Sequence, residues 1–327
     1  MRARSAPRAP SAKPIICLGC ALWDTILRVD HIPSDGGKIF PHQAVQAASG
    51  MAPAAAVSIA RLGAPVSLWA RIGADATGAM LVDDLRHRGV AVDGIRQVVG
   101  GRTPFSTILV DRRGERLVVP YIDPSLDADP GWLPLHEIAG AGAVLCDMRW
   151  VQGAQVAFSE ARRCGVPTVL DADVAPVADL WALMPLADHV LFSEPALHSL
   201  VGQATPEQAL SMIAEQLDAQ VIGVTLGAQG ALIWQRGGEG GKLSRFAAPS
   251  IQAVDTLNAG DVWHGTYAYG LVHGWTLAST VRAANVAAAL KCEVFGGHAG
   301  APGLEQVLAR LGAGEGAVTP PAAARAG

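Results

Sequence analysis

The amino-acid sequence predicts an α/β fold: a mostly parallel central sheet with helices on both faces, and two insertions that form either peripheral hairpins or a small β-sheet lid. Short apolar runs of strand length alternate with longer, Ala-rich runs of helical period. Glycines close the helical runs, as at Gly63, Gly89 and Gly274. Two segments, 30–45 and 103–121, break the rhythm with alternating and β-branched residues and no helical period.

Taken in order, Pro14-Ile-Ile-Cys-Leu-Gly19 opens as a buried strand, and Met51 to Leu62 is a helix. Val66 to Ile72 is a strand, followed by a helix from Ala79 to Arg88. Further strands are expected at Ala143 to Cys146, Thr168 to Leu170, His189 to Phe192 and Val221 to Thr225, each leading into a helical or capping segment. Asp111-Arg-Arg-Gly114 is a hairpin turn within the second insertion. Residues 14–312 read as one domain, with lid segments at about 30–45 and 103–121 and unstructured tails at 1–13 and 313–327. In such sheets ligands bind beyond the carboxyl ends of the strands.

Bulk properties exclude several functions. The 327 residues are 50% hydrophobic and 17% charged with a net charge of −4, which describes a globular chain with no polyanion-binding surface. No nucleic-acid partner is expected. No apolar run is long enough to span a membrane, and residues 1–13 lack the apolar core of a secretory signal, so a cytoplasmic location is expected. The pair Cys17 and Cys20 has no second ligand pair, and the five cysteines read as reduced core thiols.

The chemistry concentrates at Val254-Asp-Thr-Leu-Asn-Ala-Gly-Asp261, just ahead of a helix read from His264 to His273. Small residues between two carboxylates leave backbone N–H groups unpaired at a helix start, and such groups attract anions. An anion hole beside a carboxylate suits phosphoryl transfer to a hydroxyl. Asp255 to Asp261 resembles the D-T-x-G-A-G-D signature of the ribokinase/PfkB family of sugar and nucleoside kinases, with Asn258 at a position where the pattern has Gly. Asn tolerates a positive φ at low cost and keeps the backbone amide in place.

The resemblance spans about residues 14–310 and implies a ribokinase-like three-layer sandwich. It implies that Asp261 is the catalytic base and that the amides of Asn258, Ala259 and Gly260 form the anion hole. It places Asp24, Lys38 and Gly50 at the sugar. Ser49 and Ala54 depart from the first signature, G-G-x-x-x-N-x-A, where Asn commonly contacts the sugar. Arg149, in Asp147-Met-Arg149, either meets an anionic substrate group or pairs with Asp147. Ser193, Thr225, Gly227, Gly230, Asn285 and Gly297 fall at the nucleotide, and Asp255 at a monovalent-cation site. ATP and Mg²⁺ are the implied cofactors, with K⁺ at the monovalent site. The sugar and ATP are the small-molecule partners, and a homodimer through the lid is implied.

Other motifs carry structure alone. Asp75 is expected to cap a helix. Gly237-Gly-Glu-Gly-Gly-Lys242 is a hairpin loop and not a phosphate loop, since Leu243 replaces the required Ser or Thr. The rival functions are a nucleoside kinase of the same family and a non-catalytic sugar- or nucleotide-binding regulator on the same fold. A third is a phosphosugar kinase using Arg149, Arg112 and Arg113.

Overall fold

The computed structural model describes residues 13–126, 128–238 and 240–313, so the two expected tails lie almost wholly outside the described residues. The first seven strands are β1 (Ile15–Leu18), β2 (Leu22–Arg28), β3 (Gln43–Ser49), β4 (Val66–Gly73), β5 (Ile95–Val98), β6 (Phe105–Val110) and β7 (Arg116–Tyr121). Then come β8 (Ala143–Asp147), β9 (Thr168–Ala172), β10 (His189–Ser193), β11 (Val221–Thr225), β12 (Ala231–Gln235) and β13 (Lys242–Phe246). The helices are α1 (Met51–Arg61), α2 (Ala76–His87), α3 (Val151–Cys164), α4 (Val177–Leu183) and α5 (Glu194–Val201). They continue with α6 (Pro206–Ala214), α7 (Ala259–Val272), α8 (Leu277–Cys292) and α9 (Leu304–Ala313).

Nine strands form the central sheet in the order β13-β12-β11-β10-β9-β8-β1-β4-β5. Pairing is parallel from β11 to β5, and β12 and β13 add an antiparallel hairpin at the edge. Gly237, Gly238, Gly240 and Gly241 lie between the two strands of that hairpin, as expected. Side chains alternate across each strand, so Ile15 and Cys17 enter one core while Ile16 and Leu18 enter the other. One core is filled by α1, α2, α7, α8 and α9, and the other by α3, α4, α5 and α6. Burial on both faces is why these strands read as unbroken apolar runs.

Small residues bring the helices close. A Cβ on Gly265 of α7 would stand 2.5 Å from the carbonyl oxygen of Ala55 in α1. Asp75 caps α2, accepting the N–H of Gly78 at 2.8 Å. All five cysteines are free, and burial pushes the Cys20 thiol up to about 12. No helix among the described residues is long and apolar enough to cross a membrane.

The second sheet has the order β3-β2-β6-β7. It corrects the expected lid boundaries: β2 belongs to the lid, and 30–42 contributes no strand. Leu22–Arg28 follows β1 after only a short link, so in sequence it merges with the first strand. Ile26, Ile108, Val110 and Leu257 form a small separate core. Leu257 comes from the turn before α7, so the lid packs directly on the segment that carries the expected chemistry. Two helices also begin earlier than expected, α2 at Ala76 and α7 at Ala259.

Candidate active site

A cavity of about 1060 Å³ opens at the carboxyl ends of the central strands, with the lid over one side. Its walls include Asp24 and Ser106 from the lid, Gly50 before α1, and Asp171 and Asp173 at the end of β9. The turn 256–261 forms the floor.

Asn258 is the only non-glycine residue among those described with a positive φ, 60°. This left-handed residue turns the chain into α7 and serves as its N-cap. The N–H groups of Asn258, Gly260 and Asp261 meet no acceptor among the described residues, whereas Ala259 N–H makes a long bond, 3.3 Å, to the Thr256 carbonyl. Free N–H groups therefore sit at the positive end of a fourteen-residue helix, on residues that line the cavity. Asn258 also does something the sequence did not suggest: its side-chain amide donates to Asp261 Oδ2 at 2.7 Å.

Burial, followed by repulsion from Asp171, pushes the Asp261 carboxyl well above the ordinary carboxylate range, and the Asn258 amide opposes that shift. His264, one turn further along α7, places Nδ1 3.1 Å from Asp171 Oδ2 with both side chains buried. Burial, the largest single influence, would lower the His264 pKa, but the carboxylates of Asp171, Asp261 and Asp173 together outweigh it and the net shift is upward. When protonated, His264 would temper the crowding of Asp171 and Asp261.

Asp255 is 1% exposed and holds the turn together. It accepts the N–H of Leu257 at 2.8 Å and those of Gly296 and Gly297 at 2.9 Å each. The Lys291 ammonium donates to the Asp255 carbonyl at 2.6 Å and lies 3.4 Å from its carboxylate. Oxygens that would serve a monovalent ion at Asp255 are thus engaged by a lysine of the chain itself, and the residues do not fit a bare ion there.

The other expected residues divide. Asp24 is buried in β2 and accepts a short hydrogen bond from Ser106, and burial raises its pKa. Gly50 has φ 113°, and a Cβ there would stand 2.2 Å from the Cys20 carbonyl. Thr225, Gly227 and Gly230 line the cavity after β11, and Ser193 lines it while donating to Asp173 at 2.8 Å. Asn285 lines it too, but its amide is spent: it accepts from the Trp263 indole and donates to the carbonyls of Phe246 and Ala247. Gly297 is buried behind the turn, and Lys38 is exposed outside the cavity.

Arg149 departs from the expected pairing. Its guanidinium pairs with Asp173 at 2.8 Å, and only its backbone N–H reaches Asp147, also at 2.8 Å. Asp147 is held by three N–H groups, those of Cys20, Ala52 and Arg149, and burial raises its pKa to about 6. Sequence reasoning missed Asp171, Asp173, His264 and Lys291. The first two had a signal, Asp171-Ala-Asp173 directly after an apolar run; His264 and Lys291 sit in helices with none.

A family model described as pfkB family carbohydrate kinase matches residues 12–303. The chain belongs to this family. It is 29% identical to a fructokinase from Escherichia coli over 72% of this chain and 78% of that one. A solved structure from Agrobacterium tumefaciens, provisionally named a ribokinase, shares 38% identity with a TM-score of 0.89, covering 93% of this chain and 98% of that one. The Arabidopsis thaliana ribokinase complexed with ribose and ATP shares 25% identity with a TM-score of 0.79, covering 92% and 99%. As a pfkB-family carbohydrate kinase the protein is a phosphotransferase with an alcohol acceptor and ATP as donor.

Proposed function

We propose that this kinase passes the γ-phosphoryl group of ATP to a sugar hydroxyl held between Asp24 and Asp261. The observation that carries the reading is the start of α7, where unpaired N–H groups and the Asp261 carboxylate line the same cavity as the lid carboxylate of Asp24. Asp261 accepts the hydroxyl proton as the oxygen attacks, and the raised pKa suits it to that task. The amides of Asn258 and Gly260 stabilise charge on the transferring group, while Ala259 first has to give up its bond to Thr256. Asn258 keeps Asp261 aimed along the wall. The glycines at 227 and 230 let the backbone approach the nucleotide.

Carboxylate oxygens suited to magnesium line the same cavity at Asp173 and Glu194. Mg²⁺ carried on the ATP phosphates would neutralise their charge there. Arg149 is paired with Asp173, which disfavours a phosphosugar acceptor. Trp263 is the only Trp, Tyr or Phe among the described lining residues, which favours a sugar over a nucleoside base that needs stacking.

The direct test is ADP release on a panel of ketoses, aldoses, sulfosugars and nucleosides. Release that no acceptor stimulates would sink the reading and leave a binding regulator. Asp24→Ala is expected to remove a charged hydrogen-bond acceptor worth about 1.5–3 kcal/mol, raising the sugar KM roughly ten- to a hundredfold with the ATP KM little changed. An unaltered sugar KM in the folded variant would take Asp24 out of the site.

The lid also exposes apolar surface at Phe105, Val119 and Tyr121. This supports pairing with the lid of a second copy. Light scattering is expected to show a dimer, and a monomer at assay concentration would remove that pairing.

A further inference from the structure

Of the described lysines, only Lys291 is buried, and it is 0% exposed. An ammonium out of water is costly unless paired and hydrogen-bonded, so its position requires a reason. It sits in the last turn of α8, the end of a helix that favours positive charge. The carbonyl of Cys292 there accepts the N–H groups of Val254 and Asp255, tying the helix end to the segment entering the anion-hole turn. Two oxygens of Asp255 face the ammonium, its carbonyl at 2.6 Å and its carboxylate Oδ2 at 3.4 Å. These are the ligands a weakly hydrated monovalent ion would use, and an ammonium is close to potassium in size. The turn from Thr256 to Asp261 leaves directly from that carbonyl. A positive charge at this point fixes the turn and adds to the field at its free N–H groups.

We propose that the Lys291 ammonium is a covalently attached replacement for the monovalent cation at the anion-hole turn, making the protein independent of potassium. The functional half of this statement rests on the turn being the catalytic anion hole; the structural half does not. A tethered cation cannot dissociate, so the turn is ordered at any salt composition, whereas a bound ion would act by mass action.

The test compares potassium chloride with choline chloride at equal ionic strength, for the wild type and for Lys291→Ala. Two quantities are read: the melting temperature of the protein without sugar or nucleotide, and sugar-dependent ADP release. The wild type is expected to show the same melting temperature and turnover in both salts. Lys291→Ala is expected to melt lower and turn over about 5–150-fold slower in choline, the range of an ordinary coupling between sites. Potassium, ammonium or methylammonium should restore both quantities by refilling the vacated pocket. A potassium-specific rise in wild-type melting temperature or turnover overturns the proposal, as does a Lys291→Ala protein that matches the wild type in choline. Should Lys291→Ala fail to fold, the wild-type comparison alone decides. Because melting is read without substrates, a protein that transferred no phosphate would still report on the cation, so the two readings fail separately.

Discussion

Asp261→Asn is expected to lower kcat by about 10²–10⁴-fold, the usual worth of a general base, while raising the melting temperature at neutral pH. The two effects have one origin. Burial and the neighbouring Asp171 raise the folded-state pKa of Asp261, so its charged form is less comfortable in the folded protein than in the unfolded chain. Such a group contributes stability below its unfolded value, near about 4. That contribution is lost as pH rises through the folded value. At neutral pH the charge is therefore a cost that Asn does not carry, and Asn can still accept from Asn258. The gain in melting temperature should shrink as pH falls toward the acid range, where both proteins are neutral at this position. In the wild type, kcat/KM should fall as pH is lowered through the raised Asp261 pKa, above where an ordinary aspartate would titrate. ADP-release kinetics with saturating sugar and melting curves across pH check both halves. Turnover within a few-fold of wild type in a folded Asp261→Asn protein would remove Asp261 as the base.

The largest stability effect is expected from Asp255→Ala. The carboxylate accepts three backbone N–H groups and faces the buried Lys291. Removing one member of a buried pair strands the other charge, a loss of about 3–5 kcal/mol. Urea unfolding should show a lower midpoint with little change in slope. A loss under about 1 kcal/mol would mean that Asp255 does not organise the turn. Lys291→Met should be milder, since Met is close in length and leaves no uncompensated cation, although Asp255 then keeps its charge with only N–H partners.

Much of the site was legible in one segment. The turn 255–261 could be read from sequence because its special backbone needs are local: small residues, one Asn suited to a positive φ, and a helix following at once. Asp75 as a cap and the 237–242 run as a hairpin were local in the same way. Arg149 shows the limit. Its candidate partners in sequence were an anionic ligand or Asp147, two residues away, yet its guanidinium reaches Asp173 at the end of the adjacent strand. Asn285 lines the cavity, but that its amide is held by the carbonyls at and just after the end of β13 was not legible in the sequence.

What the sequence determined by itself was the α/β layering and the tight turn that starts α7, which we propose as the anion hole. Burial of both sheet faces dictates continuous apolar runs, and backbone geometry dictates residue type over a few positions. The tertiary structure alone decided which charges meet. Asp171, His264 and Asp261 converge because parallel strands and packed helices bring distant segments to one sheet edge, and Lys291 reaches Asp255 because α8 ends against the turn. Interactions between charges depend on distance in space and on exclusion of water. Neither quantity is written in the order of residues along the chain.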